Sequence, residues 1–364
     1  MNVLRFRQQV YGWLLAGPFV LTLVVFFLYA LVRTVYFSFT EYDLFSDAVW
    51  VGLANFKALL TDRLFLLALA NTIWFSLIVT CVQTVLALGL AILVNSKIRA
   101  KGFFRTAFYL PSILSSAAVT LIFIWFYQKS GYLNGFVSSV VNHSPHLSCF
   151  VLVAIVTQCV LVMKDRLKGL PVGWLDPAWG ILSFLIAGIA TFASSAMGWI
   201  EVTNQIVEVN WLNTRDQVGP MPLTLWAIVI QNVYTTIPTF MLLFLAGLQG
   251  IPGELYEATH IDGANKWQQH WHITIPHLAP VTFVVVTFSI IGTLQMFDQV
   301  ALLGSAAPLE SRITLAYYVY HNAFPPGGTP QIGTASAAAL VLAFITLAIV
   351  YLQKIVGVKE KADD

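Results

Sequence analysis

The sequence predicts an all-α, polytopic transmembrane helical bundle of about eight spans with both termini in the cytoplasm. Three observations lead there. Apolar residues make up 58% of the 364-residue chain and charged residues only 10%, against roughly 25% charge in a soluble domain; mean hydropathy is +0.78. Eight stretches run without Asp, Glu, Lys or Arg for at least the roughly 20 residues that cross a bilayer. With the N-terminus placed inside, 13 of the 19 Lys and Arg fall in inside segments and 6 outside, which is the positive-inside pattern. This composition excludes a soluble enzyme, a disordered tail and a nucleic-acid binder. A net charge of +2 argues for no anionic partner. The runs are continuously apolar rather than alternating, which excludes a β-barrel.

Taken in order, the first span is expected at about 11–32. Its apolar run is too long for a signal-peptide core of roughly 7–15 residues, and no A-x-A site follows. Segment 33–67 reads as an interfacial aromatic belt with a short helix near 55–60. Spans follow at about 68–94 and 105–127. The next two, 148–163 and 179–199, read either as spans or as a re-entrant hairpin turning at Lys164, Asp165, Arg166 and Lys168. A polar outside loop, 200–222, leads into 223–247. The remaining spans are 279–302 and 333–353. Cys81, Cys149 and Cys159 have no paired spacing, so neither a disulfide framework nor a metal knuckle is expected.

The longest inside loop, 248–278, has its own grammar. Pro252 opens a helix, and Glu254 and Glu257 suit its positive end. Asp262-Gly263 ends it. A second short helix should run to about Trp271, with Pro276 marking the approach to the next span. The pattern alone reads as an amphipathic helix–turn–helix lying against the membrane or a partner.

That loop resembles the EAA motif of the membrane subunits of binding-protein-dependent ABC importers. Glu257, Ala258 and Thr259, then Gly263, then Ile273 and Pro276 stand at the family spacing, with Thr259 in place of an alanine and Ile275 in place of a leucine. Asp262, Gly263 and Ala264 look like the sugar-importer branch. So do Gly52 to Phe56, Asn71-Thr72, Phe108 to Pro111, Gly131 to Asn134, Phe297-Asp298 and Tyr320 to Phe324. The likeness is to the larger permease of the maltose-transporter type. Two departures stand out: the outer turn reads Leu303 to Pro308 without the family's glycine pair, and 140–215 carries two extra apolar helices. The resemblance divides the chain into an N-terminal span with its outer segment (1–66), a first permease part (67–139), an inserted hairpin (140–215) and a second permease part with the coupling loop (216–364).

The resemblance implies partners: a second homologous permease, two ATPase subunits holding ATP and Mg, an external substrate-binding protein and the lipid bilayer, in a bacterial cytoplasmic membrane. The chain has no G-x-x-x-x-G-K-[ST] phosphate loop, and no cofactor, metal site or catalytic set is expected in it. The four histidines of the coupling region do not converge, since His270 and His272 diverge on a helix.

Two polar stripes are candidate path residues. Asn232, Thr235, Thr236 and Thr239 recur at i, i+3, i+4 and i+7, so they share a helix face. Ser289, Thr293 and Met296 do the same, beside Gln295. The plainer reading of each hydroxyl is a bond to its own helix; an amide is harder to satisfy locally. The corresponding positions of the maltose-type family contribute to its sugar pocket. Neutral hydroxyls and amides suit a neutral polyhydroxylated solute. Asp298 is the one acid inside an expected span, and with Phe297 it is a gate candidate. The competing class is a stand-alone secondary transporter of a small polar solute, which would call for mid-membrane coupling charges or an inverted repeat.

Overall fold

The computed structural model describes residues 2–95, 101–168, 173–174, 177–199 and 208–360. Lys97, Arg99 and Lys361 of the inside charge count, and positions 200–207 of the outside loop, lie outside the described residues. Contacts divide the chain into two compact units, residues 1–123 with 212–364, and residues 124–211.

In the first unit, α1 (Asn2–Thr22) passes through a π-helical stretch, Leu23–Leu28, into α2 (Tyr29–Ser38). Val10–Ser38 is long and apolar enough to span. Thr40–Glu41 pairs antiparallel with Val49–Trp50 and leads to α3 (Ala54–Thr61). The long α4 (Arg63–Asn95) begins five residues earlier than the hydropathy suggests, because Asp62 Oδ1 accepts the Leu64 N–H at 2.8 Å. The expected single span at 105–127 is two helices, α5 (Lys101–Ile113) and α6 (Ser116–Phe126), bent by 99°. Pro111 removes a backbone donor in α5, and Ser115 Oγ accepts the Ala118 N–H at 3.2 Å, starting a new helix.

After a short hairpin, Gln217–Val218 with Met221–Pro222, α10 (Leu223–Gln249) begins behind Pro222 and ends at Gly250. The segment that follows holds α11 (Gly253–Ile261), α12 (Lys266–Gln269), a π-helical His270–Thr274 and α13 (Ile275–His277). The expected span 279–302 is one span, Ala279–Ala306, whose helix is interrupted at 295–297 between α14 (Ala279–Leu294) and α15 (Asp298–Leu303). The outer segment carries α16 (Leu309–Arg312) and α17 (Leu315–Ala323), and α18 (Ile332–Glu360) closes the chain. The core lies where α4, α10 and α14 meet, around Phe75, Met241, Phe244, Val285 and Leu294, all nearly or fully buried.

The second unit holds α7 (Tyr132–Asn142), α8 (Ser144–Leu167) and α9 (Pro177–Ala196), with α8 packed along α9. Each of the last two is long and apolar enough to cross a bilayer. Helix α8 outruns the expected 148–163 because Pro145 suits its first turn and Lys164 and Arg166 its last. The ends of this unit meet on one side chain. Asn134, 2% exposed, donates to Lys129 O (3.1 Å) and Val209 O (2.9 Å) and accepts from Trp211 Nε1 (2.9 Å) and Val209 N (3.2 Å).

Candidate functional site

Polar groups inside an apolar bundle must find partners across helices or within their own. In the first unit many of them pair across helices. Ser76, Thr80 and Gln83 recur at i, i+4 and i+7 on α4. Ser76 Oγ lies 2.7 Å from Thr293 Oγ1, and Ser289 Oγ donates to Thr80 Oγ1 at 2.8 Å. Gln83 Nε2 also donates to Ser289 Oγ, while Gln83 Oε1 lies 2.5 Å from Thr236 Oγ1. Thr236 Oγ1 is 2.7 Å from Asn232 O as well, and its single proton serves only one of the two. Gln83 thus joins α14, α4 and α10. Ser289 and Thr293 are buried in this ladder, so they fasten α14 to α4 and do not face open space.

One layer away, Gln231 Nε2 donates to Thr120 Oγ1 at 2.6 Å, and Asn232 Nδ2 donates to Gln299 Oε1 at 3.1 Å. A cleft of about 230 Å³ opens beside these bonds. It is lined by Pro111, Ser112, Leu114, Ser116 and Val119 on one side and by Gln231, Thr235, Thr236 and Gln299 on the other, with no charged group among them. Asn232 Oδ1 is buried without a partner, at a cost of roughly 1–3 kcal/mol. The cleft falls below the roughly 300 Å³ at which ligand cavities begin.

Of the predicted path residues, then, Thr235 and Thr236 line the cleft and Asn232 stands bonded to its wall at Gln299. Thr239 and Gln295 are exposed and outside it, and Met296 is buried, its carbonyl accepting from Thr314 Oγ1 at 3.0 Å. Gln231 and Gln299 were missed. Gln231 adjoins Asn232 in sequence, and Gln299 follows a helix break that hydropathy does not register. The α4 ladder has the same helical spacing as the stripe on α10 and was legible by the same rule.

The break between α14 and α15 is held from outside. Arg312, 7% exposed, donates to Val300 O (2.7 Å), Ala307 O (3.3 Å) and Tyr317 Oη (3.1 Å), with its guanidinium 4.5 Å from the Tyr317 ring centre. Asn71 Nδ2 donates to Ile313 O at 3.0 Å, and Thr72 Oγ1 accepts from Leu315 N at 2.8 Å. The Asn71-Thr72 pair therefore anchors the outer segment to α4. Tyr318 Oη donates to Asp62 Oδ2 at 2.5 Å, and burial beside that carboxylate pushes its phenol up, so it stays protonated. Asp298 stands exposed in the first turn of α15, and Phe297 is half-buried just before it.

The loop 248–278 is a helix, a tight turn and a second helix. Ala264 N–H bonds to Thr259 O (3.0 Å) and Gly263 N–H to His260 O (3.1 Å), a Schellman ending with Gly263 at φ +82°. A Cβ on Gly263 would meet nothing within 4 Å, so the glycine answers to backbone conformation rather than to space. Asn265 and Gln268 form a capping box that restarts the chain. The second helix does not stop near Trp271: it runs through the π-helical stretch toward α14, and Pro276 sits in the first turn of α13, where its missing N–H is not needed. Tyr256 Oη lies 3.0 Å from Thr274 Oγ1, holding α11 to this second arm. Glu257, Ala258, Asp262 and Gly263 are exposed, and Ile261 is 85% exposed.

A multi-pass helical bundle with broken spans, a small uncharged cleft at its core and an exposed helix–turn–helix loop is the build of a transport permease. The chain belongs to the family of binding-protein-dependent transport system inner membrane components, whose model matches residues 83–359, and it is a multi-pass protein of the inner membrane. It is similar to the multiple sugar-binding transport system permease of Streptococcus mutans, 29% identical over 98% of this chain and 97% of that one. It is similar also to a probable starch degradation products permease of Thermoanaerobacterium thermosulfurigenes, 26% identical over 95% of each. A bacterial ABC transporter involved in import of the acidic polysaccharide alginate shares the fold, with a TM-score of 0.68 at 17% identity over 97% of this chain and 98% of that one. These relatives do not favour a stand-alone secondary transporter.

Proposed function

We propose that this chain carries a neutral sugar or sugar-like solute through a cleft framed by α5, α6, α10 and α15, driven by ATP bound with Mg on two separate ATPase subunits. A second permease completes the membrane path, and an external binding protein delivers the solute. The termini face the cytoplasm. Glu257, Ala258, Thr259, Asp262, Gly263, Ala264 and Pro276 form the loop that engages an ATPase subunit; the exposed Ile261 supplies its apolar contact. The paired α8 and α9 stand in the lipid.

The observation that carries the substrate reading is the unpaired Asn232 Oδ1 beside an uncharged wall of amides and hydroxyls. Amides orient hydroxyls, and nothing there would neutralise an acid. A cleft this small is one half of a site, with the second permease as the other half. The test is affinity purification of the tagged chain from native membranes in mild detergent, followed by uptake of a sugar panel by the reconstituted complex. An ATPase and a second permease should co-purify, and neutral sugars should be taken up in preference to a uronate oligosaccharide. A lone monodisperse protein would overturn the assembly, and preference for the uronate would overturn the neutral substrate.

A further inference from the structure

The outer helix α17 bears a run of rings that the transport reading leaves unused. Tyr317, Tyr320, His321 and Phe324 fall at i, i+3, i+4 and i+7, so they share one face. The rings touch in sequence. Phe297, at the break between α14 and α15, lies 6.2 Å from Tyr317 and 5.1 Å from Tyr320 between ring centres; Tyr320 lies 5.4 Å from Phe324; and His321 stacks on Tyr317 at 6.3 Å. Exposure rises outward along the run, from 8% at Tyr317 to 44% at Tyr320 and 61% at Phe324. At its inner end, Phe297 stands two residues before Gln299, which lines the cleft.

The run is held rigid from behind. Arg312 grips the Tyr317 hydroxyl and ring while bonding to the carbonyls of Val300 and Ala307, and Thr314 Oγ1 ties the start of α17 to Met296 O. An ordinary interfacial belt turns its polar tips toward the headgroups; here the Tyr317 hydroxyl is buried against Arg312. Burial and the Arg312 charge hold the His321 imidazole below its usual value, so the ring is neutral at neutral pH and stacks without bringing a charge.

We propose that Tyr320, His321 and Phe324 form an outer stacking ramp for a linear neutral oligosaccharide, feeding it unit by unit toward Phe297 and the cleft. The apolar C–H faces of sugar rings lie on aromatic faces, and successive ring centres here are spaced by about the length of one sugar unit. The inference rests on the sugar reading above. It adds that the gain from the ramp grows with chain length, because a monosaccharide occupies one ring and a tetrasaccharide several.

The experiment uses the complete reconstituted transporter with Tyr320→Leu and Phe324→Leu, singly and together, and Tyr320→Trp as the conservative control. Uptake is read for di-, tri- and tetrasaccharides of the malto and arabino series. In the double variant the tetrasaccharide-to-disaccharide uptake ratio should fall about fivefold, the worth of roughly 1 kcal/mol, while Tyr320→Trp keeps the wild-type ratio. An unchanged ratio with uptake intact would overturn the ramp. An equal loss at every chain length, not restored by tryptophan, would overturn it too and make these rings structural. A wild-type transporter that takes up none of these sugars would sink the sugar reading itself and the ramp with it.

Discussion

The two units use similar apolar helices but dispose of their polar groups differently. In the second unit, Thr157 donates to Val153 O at 2.6 Å, Ser183 to Gly180 O at 2.9 Å and Ser194 to Ala190 O at 2.8 Å, each within its own helix. A side-chain bond between His146 and Ser195, at 3.2 Å, joins α8 to α9. The outer faces are apolar, with Leu152, Leu185 and Phe192 exposed. In the first unit, Gln83, Gln231 and Asn232 reach across to other helices; buried polar atoms without a partner occur in both units, Asn232 Oδ1 in the first and Gln158 Oε1, His146 Nδ1 and Thr191 Oγ1 in the second. A hydroxyl satisfied on its own helix asks nothing of its surroundings and suits lipid. An amide that needs a neighbour fixes helix positions or waits for a ligand.

Substitutions can sharpen or break this contrast. The largest effect is expected at Gly263. A β-branched residue at φ +82° costs roughly 1–2 kcal/mol of backbone strain and undoes the Schellman turn, so Gly263→Val should abolish uptake while membrane insertion stays normal. Gly263→Asn, which tolerates that conformation, should retain most of the activity. Normal uptake by the valine variant would detach this loop from coupling.

Asn134→Ala comes next. It strands the Val209 N–H and the Trp211 Nε1–H, and should destabilise the second unit by about 2–4 kcal/mol, seen as protease cleavage between 124 and 211 at lower temperature. Resistance equal to wild type would show that the clasp is not what holds the ends together.

Ser289→Ala removes one rung between α14 and α4. A loss of about 1 kcal/mol of thermal stability with uptake within about twofold is expected; a collapse of uptake at unchanged stability would place Ser289 in the path instead. The smallest effect belongs to Phe192→Ala on α9, 77% exposed, where both stability within about 0.5 kcal/mol and uptake should match wild type. A larger loss would mean that a protein, not lipid, covers that face.

Much of this architecture was legible because bilayer thickness imposes a length on apolar runs, and most helix ends fell near their proline, glycine or basic signals. The bend in one span and the interruption in another were not. Thr106–Ile113 with Ser116–Phe126, bent by 99°, and the interruption at 295–297 within Ala279–Ala306 each lie in one unbroken run of hydropathy, because a break inside a membrane protein is held by distant partners. Thr314 and Arg312 hold the second break from 12–18 residues away. The coupling turn was readable from Gly263 because positive φ leaves a local residue preference. Thr235 and Thr236 were found by helical spacing, whereas Gln299 needed the break to turn it toward Asn232. Ser289 and Thr293 had the right spacing and bond to α4, since periodicity gives a face but not what lies against it.

The most direct test is labelled-sugar uptake and ATPase rate, measured side by side in the reconstituted transporter for wild type and Asn232→Leu. The leucine removes an unpaired buried oxygen but also strands Gln299 Oε1, so the complex should still assemble with thermal stability lowered by no more than about 1–3 kcal/mol, while uptake falls about tenfold, the worth of roughly 1.4 kcal/mol. Uptake at the wild-type rate would contradict the account, because Asn232 would then be a packing residue and the cleft beside it no path for the solute.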